Sequence, residues 1–146
     1  MKQRKLLAVL AAALLLAGCG TAPQPQILSE AEAKAFAEQV DGKTANILTA
    51  LSNHDLAGYT RDMDAQMKQA SEPRFEESFQ VIIGTIGKYV SHQMVRVEVN
   101  GQYRAAVYDA RFEKEEHVTV RVVYSLAESE PKISGLWFDS PKLRGQ

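Results

Sequence analysis

The chain has 146 residues, with 17 Lys plus Arg against 18 Asp plus Glu, and 45% apolar residues. This is an ordinary globular balance for one domain, and it excludes a disordered chain, a collagen-like chain and a strongly basic nucleic-acid binder. A single cysteine excludes an intrachain disulfide framework.

Lys2, Arg4 and Lys5 form a positive start, followed by an unbroken apolar run from Leu6 to Ala17. A bilayer-spanning helix needs about 20 apolar residues, so twelve are too few for a stable span. Cations, a short apolar stretch and small residues at its end read as a secretory signal over residues 1–18. Leu16-Ala17-Gly18-Cys19 closes it. That tetrad resembles the lipobox of bacterial lipoproteins, and it holds the only cysteine. The resemblance implies that Cys19 becomes the first mature residue and carries a diacylglycerol with palmitate-type chains. Each buried methylene contributes about 0.8 kcal/mol, so two or more chains anchor far better than one. Gly20 follows where an Asp often retains a lipoprotein in the inner membrane, so the outer membrane is expected if the source has two.

Loss of the three cations in residues 1–18 leaves 14 cations against 18 acidic residues, a net charge of −4. Such a domain has no general attraction for nucleic acid or anionic headgroups, so membrane contact is expected through the lipid alone. Residues 19–28 are expected to be the lipidated cysteine and an uncharged, Pro-containing tether.

Ser29-Glu30-Ala31-Glu32 has capping-box spacing and opens a helix to about Leu51, with Phe36, Val40, Ile47, Leu48 and Leu51 on its stripe and Thr44 alongside. Asp55 can cap a second helix to about Gln69, with Tyr59, Met63 and Met67 at helical spacing. Pro73 suits the first turn of a third helix, which ends before Gly87.

From Lys88 the period becomes two. Asn100-Gly101 between alternating runs predicts a tight hairpin pairing Val99 with Gln102 and Val95 with Ala106. That register puts Val95, Val97, Ala106, Tyr108, Ala110 and Phe112 on one face and His92 opposite Asp109. Strands at His117–Ser125 and Ile133–Phe138 follow. The expected fold is α+β, with N-terminal helices packed on one face of a curved four-stranded antiparallel meander over residues 29–143.

The Ser52-Asn53-His54-Asp55 corner, the segment Tyr59 to Asp64, and the closing Ile133-Ser134-Gly135-Leu136-Trp137-Phe138 resemble the nuclear-transport-factor-two-like superfamily, the cystatin-like α+β cone, in a branch of unknown function. The superfamily holds isomerases, dehydratases, transport factors and ligand binders, so the resemblance implies a fold and not a function.

The three histidines lack metal-ligand spacing, and no cofactor is expected. Gly84-Thr85-Ile86-Gly87-Lys88 ends a helix, where the dipole repels phosphate. No Gly-x-Ser-x-Gly elbow is present. Acid–base chemistry would draw on Asp55, Tyr59, Asp62, Tyr108 and Asp109, with no carboxylate among them clearly aimed into the core. Tyr59, Met63, Arg104, Tyr108 and Trp137 are the candidate pocket. Val107, Val123, Leu136 and Phe138 are the candidate interface on the other face, for a second copy of the chain or an envelope protein. The expectation is a lipid-anchored, non-catalytic binding or interaction module. The alternative is a small acid–base isomerase or hydratase using the helix–sheet cavity.

Overall fold

A computed structural model describes residues 24–145. The signal, the lipobox and Cys19 lie outside the described residues. The fold is α+β, with helices followed in the chain by a sheet of five antiparallel strands in sequential order.

Helix α1 runs Glu30–Ser52. The Ser29 amide donates to Glu32 Oε2 at 2.9 Å and the Ser29 hydroxyl accepts from the Glu32 amide at 3.4 Å, so the capping box is closed on both sides. Its buried stripe is Phe36, Val40, Thr44, Ile47, Leu48 and Leu51. His54 then takes a positive φ of 57°, and Asp55 caps α2 (Leu56–Thr60) by accepting from the Gly58 amide at 3.0 Å.

The expected second helix is broken at Arg61 to Asp64. Met63 drops into the core at 6% exposure, and the chain beside it adds to the sheet edge. The Ile133 amide donates to the Asp62 carbonyl at 2.8 Å, and the Asp64 amide to the Ile133 carbonyl at 2.9 Å. Asp64 then caps α3 (Ala65–Ser71) by accepting from the Met67 amide at 2.7 Å. Met63 and Met67 keep helical spacing in sequence, but tertiary pairing has taken the backbone groups between them. The chain continues through a 3₁₀ turn at Glu72–Arg74, α4 (Phe75–Ser78), a π turn at Phe79–Ile83 and α5 (Gly84–Ile86).

The strands are β1 (Gln26–Ile27), β2 (Tyr89–Asn100), β3 (Tyr103–Phe112), β4 (Glu115–Ser125) and β5 (Lys132–Asp139). The first was expected to be tether. Gln26 pairs with Val99 and Ile27 with Glu98, and the Leu28 amide donates to the Val97 carbonyl at 3.0 Å. The link from Cys19 to the sheet is therefore shorter than the expected ten residues.

The hairpin turns one residue later than expected. Asn100 pairs with Tyr103, Val97 with Ala106, and Gly101 carries a φ of 56°. The shift moves each pairing by two positions, so the faces are kept. Val97, Ala106, Tyr108, Ala110 and Phe112 are all buried toward α1. A bulge at Val95 corrects the rest: Val95 is 60% exposed, Met94 faces inward opposite Tyr108, and His92 pairs with Ala110 rather than Asp109. Asp109 instead meets His117 of β4 at 3.1 Å.

On β5, Leu136 pairs with Val122 and Phe138 with Val120, which places both on the helix side. Trp137 pairs with Arg121 on the outer face and is 56% exposed. Its indole lies over Gly135, where an added Cβ would sit 2.4 Å from the ring. The expected sides of Trp137 and of Leu136 and Phe138 are thus exchanged.

Gly87 ends the helical region at φ 81° and ψ −172°, a conformation essentially confined to glycine. An added Cβ would also meet Glu113 Cβ at 2.9 Å. Gly101 has open space around it. Gly87→Ala should therefore cost about 1–3 kcal/mol, and Gly101→Asn well under that, because Asn tolerates the left-handed region. Urea denaturation of both variants measures the order; equal losses would contradict it.

Candidate functional site

The helix-facing side of the sheet contains one polar seam. Thr44, fully buried on α1, donates to the Tyr108 hydroxyl at 3.0 Å, and its Oγ1 lies 2.7 Å from the Tyr124 hydroxyl. Tyr108 donates on to Asp41 Oδ1 at 3.2 Å, and Tyr124 reaches the Val40 carbonyl at 3.3 Å. Asp41 Oδ1 also lies 4.0 Å from His92 Nε2, and His92 Nδ1 is 2.7 Å from the Tyr89 hydroxyl. Both buried tyrosines are pushed far above the usual phenol value, chiefly by desolvation, so they stay protonated. Their hydroxyls are satisfied donors within the core rather than poised bases.

His92 is held below its ordinary value, mainly because burial disfavours the imidazolium, with Asp41 opposing in part. Asp41 is half exposed, so the seam reaches solvent at this end.

The outer face carries a groove of about 860 Å³. Its floor is Glu98, Ala105, Arg121 and Val123 of β2, β3 and β4. One wall is Gln24 to Gln26, where the chain enters β1, and the other is Gln66, Met67 and Ala70 of α3. The hairpin tip at Asn100, Gly101 and Tyr103 borders one end. This wall of α3 exists because Asp62 and Asp64 pin the chain to Ile133 at the sheet edge.

The carboxylates in the groove already have hydrogen-bond partners. Glu98, with a side chain 11% exposed, accepts from Arg96 Nε at 2.9 Å and from Arg121. Burial alone would raise the Glu98 carboxyl, but its hydrogen bonds and the charges of both arginines outweigh that and hold it below the usual range. Asp64 accepts from the Met67 amide and from the Ser134 hydroxyl.

The residues expected to form a pocket do not converge on one cavity. Tyr59 and Trp137 border a smaller cleft of about 350 Å³ at the β5 edge, with Val81, Leu136, Phe138 and Leu143. Met63 fills the core, Tyr108 belongs to the polar seam, and Arg104 folds onto the hairpin tip, donating to the Gly101 carbonyl at 2.8 Å. Of the expected interface, Val107 and Val123 are on the outer face, but Val107 is only 4% exposed and has little surface left to bury. Leu136 and Phe138 pack toward the helices, Phe138 edge-on to Phe112 at 6.2 Å between ring centres.

Among the carboxylates considered for acid–base work, Asp55 caps α2, Asp109 pairs with His117, and Asp62 accepts from Arg61 at 2.8 Å and from Asn46 at 3.2 Å. The seam around Asp41, Thr44 and His92 was missed; Thr44 inside an apolar helical stripe was its one visible sign. The groove was missed because its walls come from three residues expected to be tether and from a broken helix. Among the described residues no group of three or more His, Cys, Asp or Glu could hold a metal, and no helix is long and apolar enough to cross a membrane.

Compared with known proteins, the chain gives no match to a family model, a curated protein or a solved structure.

Two outcomes follow from the seam. Thr44→Val keeps the shape and removes the shared hydroxyl, so it should destabilise by about 1–2 kcal/mol in urea denaturation. A neutral result would mean that the tyrosines bond elsewhere. His92 binds its proton more weakly folded than unfolded. Stability should therefore fall as pH drops through about 6.5, the unfolded value, and level off once the folded imidazole is also protonated. His92→Gln should flatten the stability profile between neutral pH and that plateau. An unchanged profile would assign the effect to other groups.

Proposed function

We propose that this chain is a lipid-anchored envelope lipoprotein that works as a non-catalytic binding module, with the outer sheet face as its working surface. One observation carries the choice of face. The helix-facing side is filled by packed side chains and a satisfied hydroxyl seam, whereas the opposite face holds the open groove. Its volume is in the range of small-ligand sites. The signal and lipobox residues support anchoring through Cys19 to the cell membrane, or to the outer membrane in a two-membrane source. The nuclear-transport-factor-two-like resemblance is compatible with helices followed by an antiparallel sheet.

The acid–base alternative would need a carboxylate and a tyrosine beside substrate space. Asp41 and Tyr108 are paired, but Tyr108 is fully buried and borders neither the groove nor the edge cleft. The seam supports a structural role for that pair.

Cys19→Ala should leave the precursor unlipidated and remove the protein from membrane fractions. Intact mass of the wild-type protein should show diacylglycerol on residue 19. A mature protein with a free Cys19 thiol would overturn the anchoring.

A further inference from the structure

We infer that the outer groove binds a short, uncharged oligosaccharide; this deepens the reading of the outer face as a binding surface and rests on it. Three observations select the ligand class. The first is charge. Glu98 is paired with Arg96 and Arg121, and Asp64 accepts from the Met67 amide and the Ser134 hydroxyl, so two carboxylates stand against two guanidiniums and the group carries no net charge. With the charges balanced, neither an anion nor a cation is drawn in by a net field, and either would compete with the Glu98 pairs or the Asp64 hydrogen bonds.

The second is hydrogen-bonding capacity. The side-chain amides of Gln26, Gln66 and Asn100 border the groove and make no hydrogen bond among the described residues. Each carboxamide both donates and accepts, which matches the donating and accepting hydroxyls of a sugar. The third is the apolar part. Val123 on the floor and the half-exposed Tyr103 ring at one end can meet the C–H faces of pyranose rings.

A peptide fits less well. Main-chain recognition of an extended peptide uses a free strand edge. The floor here is the face of β2, β3 and β4, whose ladder groups are paired with one another. A lipid tail would need a continuous apolar lining, and the amides and the Glu98–Arg121 pair interrupt it.

The test uses the full chain as isolated from cells, labelled for amide spectra, with a neutral N-acetylglucosamine trimer and maltotriose as probes. A saccharide should shift the Ala105, Val123 and Asn100 amides in a saturable way. Trialanine and inorganic phosphate should not. Gln66→Ala with Asn100→Ala should weaken binding roughly tenfold, the loss of two hydrogen bonds of ordinary strength. Ala70→Trp fills the groove from an exposed helix position and should abolish binding without unfolding the domain. Saturable binding of trialanine or phosphate at these amides, or no shift with either saccharide, would overturn the inference. Binding that Ala70→Trp leaves intact would also overturn it. Because these amides report on the groove whether or not Cys19 is lipidated, failure here is separable from failure of the anchor.

Discussion

The Thr44 hydroxyl fixes how the helices sit on the sheet. Apolar packing between α1 and the inner strand faces is strong but non-directional, worth roughly 1.5–3 kcal/mol for each fully buried aliphatic side chain. It would tolerate small rotations and slides of the helix. A hydroxyl that must meet two tyrosine hydroxyls, one from β3 and one from β4, does not tolerate them. Once α1 is set, the corner at His54 and Asp55 is set as well. The chain then reaches the β5 edge at Met63, and α3 rises there as a wall of the groove. A directional contact inside the core thus orients α1, and the pairing of Asp62 and Asp64 with Ile133 carries the chain on to the opposite face.

Much of this fold was legible. The capping box, the switch of period at Lys88 and the inward set on β3 all follow from local rules that tertiary contacts did not override. The hairpin turn was displaced by one residue without harm, because a shift of two in the pairing keeps every side chain on its face. The bulges were not legible. One extra residue at Val95 reverses Met94 and His92, and nothing in Gln93-Met94-Val95-Arg96 announces it. On β5 the run Leu136-Trp137-Phe138 is apolar on both sides, so periodicity could not choose. Leu136 and Phe138 lie against Val122 and Val120. The larger indole lies outside, over Gly135, the one β5 residue with no side chain to obstruct it.

The candidate site was harder to read than the fold for a related reason. Its residues come from Gln26, Gln66, Asn100 and the β3–β4 face, separated widely in sequence and without a motif. Single-residue chemistry identifies catalytic groups better than it identifies concave surfaces. Tyr108 drew notice as a pocket residue because of its type, yet its hydroxyl is spent on Thr44 and Asp41.

The edges of the sheet also bear on where a partner can act. Beyond the two residues covered by β1, the outer edge of β2 carries bulges at Val90 and Val95, which twist a strand away from further pairing. The β5 edge is occupied near Ile133 by the chain at Asp62 to Asp64. Growth of the sheet by a second copy is disfavoured at both places, and the face is left as the accessible surface. Docking of Gln26 and Ile27 has a further effect. Seven residue-to-residue steps lead from Cys19 to Gln26, and at about 3.3–3.6 Å each they reach at most roughly 25 Å. If Cys19 carries lipid, the wall formed by Gln24 to Gln26 holds the groove within that distance of the bilayer surface. The groove would then sample the layer next to the membrane, where a floor whose charges are balanced competes little for headgroup charges. The pairing of Glu98 with two arginines keeps a buried carboxylate ionised and holds both guanidiniums against the sheet face.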